Sequence, residues 1–135
     1  MKLENFQGLE YVTVLDVPTI KKGKHEILAI DHADIEKAVA QEILKLGIRF
    51  RGKEVKFLRK VLGLSLEKMA AKIHFTSGAI QRWEKKESEA ISPVNEIVLR
   101  VFFSDEFQVP LPPHFNGFVG VEEYNNIELK MNSAA

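Results

Sequence analysis

Hydrophobic positions along the chain first gather in β-rich runs, then recur at helical spacing, then lose regularity. In EYVTVLDVPTIKKGKHEILAI (residues 10–30) two apolar, β-branched runs flank KKGK. Val12, Val14 and Leu15 are strand formers, and Gly23 sits in a basic turn, so a β-hairpin is expected. Pro18 has no backbone donor and limits the first run to a short or edge strand. A lone two-stranded hairpin is marginal, so this one needs a packing partner, such as a second copy of itself.

From DHADIEKAVAQEILKL onward the spacing becomes helical. Ile35, Ala38, Val39, Ile43 and Leu46 share one face, with Asp31 as cap and Gly47 as stop. KEVKFLRKVL follows, with Val55, Leu58, Val61 and Leu62 on one face; Gly63 ends it. Ser65 caps LEKMAAKI, HFT breaks it, and Thr76 caps SGAIQRWEKK. Ser92 and Pro93 supply a cap and a first-turn proline for VNEIVLRVFF. There Val94, Ile97, Val98 and Val101 stand at i, i+3, i+4 and i+7, the expected buried stripe. After Ser104 the chain reads as an irregular tail, docked through Phe107, Phe115, Phe118 and Tyr124. The expected division is 1–47 (hairpin and helix, for dimerisation or packing), 48–104 (helical domain) and 105–135 (irregular acidic tail).

Composition narrows the class. With 135 residues and 45% hydrophobic content, one compact domain with appendages is expected. The absence of cysteine excludes disulfides and thiolate metal sites. No apolar run approaches the roughly 18 residues of a membrane span, and MKLENFQGLE lacks a signal pattern, so a cytoplasmic protein with no membrane partner is expected.

Net charge is zero but unevenly placed. Residues 51–86 carry ten Lys/Arg against three Glu, while the rest carries nine basic against sixteen acidic residues. Basic charge concentrated in one stretch suits a polyanion; the alternative is a solvated helical face.

KIHFTSGAIQRWEKK (72–86) gives the charge a shape. Two short helices joined by three residues pack steeply only with a small residue at the crossing, here Ala70. Met69, Ile73, Phe75, Ile80 and Trp83 then point inward, and Thr76 caps the second helix. This is the helix-turn-helix plan, whose second helix enters the DNA major groove. Arg82 can donate two bonds to guanine, Gln81 or Ser77 can reach a neighbouring edge or a phosphate, and Lys85 and Lys86 suit phosphates. Ser65, Lys68, Thr76 and Gly78 complete the candidate DNA-binding set. Each Lys could equally be surface charge, and Trp83 reads as core rather than stacking platform.

GKEVKFLRKVLGLSLEKMAAKIHFTSGAIQRWEKK resembles the repressor-type (Xre-like) helix-turn-helix family from Gly52 to about Phe103. With GLEYVTVLDVP ahead of it, the chain is more narrowly similar to MqsA/YgiT-type antitoxins. The resemblance implies a mainly α, lambda-repressor-like bundle with an N-terminal hairpin and helix. It also implies base reading by Arg82, a homodimer on an operator, autoregulation, and a cognate toxin as partner. Three departures stand out: the zinc-binding cysteines of that family are missing, His74 occupies a turn position usually held by glycine, and Leu66 replaces a contacting Gln. Gly78 likewise stands where a reading side chain is usual.

His25, His32, His74 and His114 show no ligand spacing, and no motif frames a nucleophile. No metal, cofactor or catalytic residue is expected. The reading is therefore a sequence-specific transcriptional regulator; the rival is an interaction module that keeps the fold without reading DNA.

Overall fold

In a computed structural model that describes residues 1–131, the chain forms five α-helices and four short strands. Their order is β1 (Val12–Leu15), β2 (Thr19–Lys22), β3 (His25–Leu28), α1 (His32–Lys45), α2 (Gly52–Val61), α3 (Leu66–Ile73), α4 (Ser77–Lys85), α5 (Pro93–Glu106) and β4 (Ile127–Lys130). No helix among the described residues is long and apolar enough to cross a membrane.

The chain divides into two compact units, and not along the expected boundaries at 47 and 104. One unit holds residues 1–39 and 124–131; the other holds Ala40–Glu123. The first break falls inside α1 rather than after it, and the tail is split, its part up to Glu123 joining the second unit and its part from Tyr124 to Met131 the first.

In the first unit β1 is covered on both faces: Val12, Thr13 and Val14 are all buried. Its partner is not the following strand but β4, in parallel, with Val12 opposite Ile127 and Val14 opposite Leu129. Leu3 and Val14 exchange 2.8 Å backbone bonds on the other edge. The Tyr11 and Tyr124 rings meet at 5.5 Å, and the Thr13 hydroxyl donates to Asn126 Oδ1 at 3.3 Å. The expected hairpin is thus confined to β2 and β3, which pair antiparallel around Gly23 (φ 63°). Asp16, in a left-handed conformation (φ 53°), and Pro18 turn the chain between β1 and β2.

α1 begins and ends where its signals lie. Asp31 Oδ1 accepts from the Ala33 N–H at 3.0 Å, and Gly47 (φ 64°) closes it. Ile35, Val39 and Ile43 are buried as expected, but Leu46 falls beyond the last turn and is exposed.

The second unit overturns the expected face of α5. Val94 is 72% and Val101 42% exposed, while Glu96, Leu99, Arg100 and Phe103 are buried. Val94 and Val101 face outward and Ile97 and Val98 are only half-buried, because the two charged residues are needed inside. Glu96 accepts from Arg49 Nε, from the Phe50 N–H at 3.2 Å, from Arg100 Nη2 at 3.1 Å and from the Gly120 N–H. Arg100 donates to the carbonyls of Ile48 (2.8 Å) and Phe118 (2.9 Å), and its guanidinium lies 4.2 Å over the Phe50 ring. These two side chains serve backbone groups of non-helical segments that could not otherwise be buried. Burial pushes the Arg100 guanidinium below its usual pKa, against the opposing pull of Glu96.

The stretch after α5 is irregular up to β4, as expected, and its first part is fastened to the helices. Phe107 and Val109 are buried. Val121 accepts from the Arg49 N–H (3.0 Å) and donates to the Gly47 carbonyl (2.9 Å). Of the expected aromatic anchors, Phe107 is buried, Phe118 and Tyr124 half-buried, and Phe115 73% exposed.

Candidate nucleic-acid interface

α3 and α4 are delimited by local chemistry. Ser65 Oγ accepts from the Lys68 N–H at 3.1 Å, and Thr76 Oγ1 from the Ala79 N–H at 3.1 Å; such caps each contribute about 1 kcal/mol. Between the helices run His74, Phe75 and Thr76. His74 adopts the left-handed conformation (φ 61°, ψ 37°) that a glycine would take without strain, and the Phe75 N–H reaches the Ala70 carbonyl at 3.0 Å.

The inner faces meet as the spacing predicts. Met69, Ala70, Ile73 and Ile80 are buried, and the half-buried Phe75 and Trp83 make an edge-to-face contact at 5.3 Å. Through this contact Trp83 helps to anchor α4.

Two further features hold α4, and neither is visible in the hydrophobic pattern. Arg59 of α2 donates to Glu84 through Nε (2.7 Å) and Nη2 (2.8 Å), and through Nη1 to the Leu64 carbonyl (2.8 Å). The Glu84 hydrogen bond holds the Arg59 guanidinium above its usual pKa despite its partial burial. Gly52, the first residue of α2, lies against the end of α4: a Cβ there would collide with the Trp83 carbonyl and stand 2.7 Å from the Lys86 carbonyl oxygen. A glycine opening a helix, and an Arg and a Glu 25 residues apart, give no periodic signal. The one clue was the polar Glu84 placed next to Trp83.

The outer face carries the expected candidates. Gln81, Arg82, Lys85 and Lys86 are exposed on α4, with Ser77 and Gly78 half-buried at its start. Ser65, Lys68 and Thr76 are exposed; Ser65 and Thr76 already use one oxygen lone pair as caps. A Cβ on Gly78 would lie 3.5 Å from Arg82 Nη1, so the Arg82 side chain runs back along the helix over the glycine. Leu66 is half-buried, which leaves little of it for a ligand.

Charge separates into structural and outward parts. Arg51 pairs with Glu54 at 2.7 Å and Arg59 with Glu84, removing two cations and two anions from residues 51–86. The excess of seven is unchanged by this, and most of it rests on the exposed Lys60, Lys68, Lys72, Arg82, Lys85 and Lys86, while Lys53 and Lys56 are half-buried. Lys72 and Lys86 make only loose 3.8 Å contacts, with Glu106 and Glu89, of the kind that contributes little. Such a face can present one planar fork for a base edge and several point charges for phosphates. Comparison with known proteins adds nothing to this geometry: no family model, curated protein or solved structure gives a significant match to the chain.

Proposed function

We propose that the chain is a sequence-specific DNA-binding regulator, with α3 and α4 as a helix-turn-helix and α4 as the recognition helix. One observation carries the reading. α4 is anchored through Ile80, Trp83 and the Glu84–Arg59 pair, yet turns Gln81, Arg82, Lys85 and Lys86 to solvent. A helix fixed so firmly on one side and so basic on the other suits a major groove, which admits one α-helix. Arg82 reads guanine, Gln81 an adjacent edge, and Lys85, Lys86 and Lys68 contact phosphate. In this reading α2 to α5 form a lambda-repressor-like bundle, and two copies bind half-sites about 34–36 Å apart. The setting is cytoplasmic, the chain is not an enzyme, and repression of its own operator together with a toxin partner extends the same antitoxin-like reading.

Fluorescence anisotropy with the promoter upstream of the gene tests it. Affinity falls by about 10³ or more between roughly 50 and 200 mM salt if six or more phosphates are contacted. No binding at low salt overturns the proposal. Gly78 and the half-buried Leu66 favour a second reading, an interaction module on the same fold. Under it, binding to all duplexes is equally weak, and Arg82→Ala changes nothing.

A further inference from the structure

β2 and β3 form a ribbon whose residues from Ile20 through Ile27 are all exposed. Ile20 and Ile27, directly opposed, are 51% and 39% exposed. Two strands without a covered face are marginal in water. The ribbon does not serve to cover a core, so its surface chemistry is the guide to its purpose. Its tip is KKGKH: Lys21, Lys22 and Lys24 fall within four residues around Gly23, and His25 stands opposite Lys22. Glu26 lies opposite Lys21, and its carboxylate accepts from the Thr19 hydroxyl. The end of the ribbon therefore carries unbalanced positive charge on a narrow, two-stranded support.

We propose that this hairpin is a second contact to duplex DNA, with Lys21, Lys22 and Lys24 on backbone phosphates. Charge complementarity requires a polyanion, and a two-stranded ribbon is one of the shapes a major groove admits. The choice of duplex DNA over other polyanions rests on the α4 reading above; the lysine tip and the ribbon do not depend on it. Lysine is a point charge without a planar fork, so the contact carries affinity and not sequence preference.

The test uses the full chain and a labelled 30-base-pair duplex of random sequence, titrated from 50 to 200 mM salt. Removing one phosphate-binding lysine lowers the slope of log affinity against log salt by about 0.9. The Lys21→Gln/Lys22→Gln/Lys24→Gln variant is expected to lose about 2.7 from the slope, so that wild type sheds about 40-fold more affinity than the variant over this range. Lys22→Gln alone loses about one third of that slope, which provides the reading if the triple variant folds poorly. Gln81→Ala/Arg82→Ala keeps the hairpin's share of the slope. An unchanged slope in the lysine variants overturns the hairpin contact and leaves the α4 reading standing. The reverse pattern, binding abolished by the lysine variants and untouched by Gln81→Ala/Arg82→Ala, overturns the α4 reading and keeps the hairpin. No duplex binding by wild type overturns both. Equal competition by poly-glutamate reassigns the tip to an acidic protein surface, and a halved mass by light scattering in the lysine variant reassigns it to pairing between copies; either result overturns the proposal.

Discussion

Replacing Gly52 with alanine adds one methyl group where α2 and α4 come closest. The new Cβ would overlap the Trp83 carbonyl and stand 2.7 Å from the Lys86 carbonyl oxygen and 3.0 Å from its carbon. All three are backbone atoms, so no side-chain rotation relieves the overlap; the end of α4 must move. Overpacking of this kind costs about 1–3 kcal/mol. Alanine's helical advantage over glycine, at most about 1 kcal/mol in a helix interior, is smaller at the first residue of α2. The net loss of about 1–3 kcal/mol lowers the melting temperature by about 3–10 °C for a chain of this size. Gly78→Ala is the matched control. Its Cβ would meet only Arg82 Nη1 at 3.5 Å, and its backbone is not left-handed, so with Gly78 in the first turn of α4 the change is neutral or gains at most about 0.5 kcal/mol. Circular-dichroism melts of both variants against wild type distinguish the two. A Gly52→Ala protein as stable as wild type, or more so, would refute the close approach of α2 and α4.

Glu84→Gln leaves the largely buried Arg59 without its carboxylate and is expected to cost about 3 kcal/mol in chemical denaturation, whereas Arg59→Met/Glu84→Leu together recover most of the loss; equal losses in both would argue against a coupled pair. Leu99→Ala is expected to cost about 2–5 kcal/mol and Val94→Ser less than about 0.5 kcal/mol, because only the former is buried; melts in which Val94→Ser is the worse variant would restore the valine face to the core. Deleting residues 105–135 removes Phe107, Val109, the Gly120 N–H that reaches Glu96, and β4, so the truncated chain is expected to melt many degrees lower. A truncated protein of unchanged melting temperature would make the tail a partner-binding appendage instead.

What could be read from the sequence was local. Ser65, Thr76, Asp31, Gly47 and Gly63 mark helix ends because each satisfies or releases backbone groups within a few residues of itself, and all five act where expected. Ser92 stands before α5 without a side-chain cap bond, and Pro93 at the first turn is enough to fix the start. The face of α5 was illegible because apolar residues ordinarily point inward. Three valines and an isoleucine outweigh Glu96 and Arg100 in the pattern, yet the distant partners of those two lie at Ile48, Arg49, Phe50, Phe118 and Gly120, from 18 to 52 residues away. The partner of β1 was illegible for the same reason: a parallel pairing between Val12 and Ile127 spans nearly the whole chain and leaves no periodic trace. At the candidate interface the outward residues followed from helical spacing, while the parts that fix α4 in place, Gly52 and the Arg59–Glu84 pair, depend on contacts between helices.

Selection from a pool of random duplexes most directly tests the claim that α4 reads DNA. The full chain is incubated with the pool at about 100 mM salt, and bound duplexes are recovered, sequenced and compared with those recovered by Arg82→Ala. The account predicts enrichment of a short motif containing guanine, arranged as two half-sites one helical turn apart, with the guanine preference lost in the variant at a cost of about 1–3 kcal/mol. Recovery of no motif by wild type, or the same motif with the same guanine preference from Arg82→Ala, would contradict it.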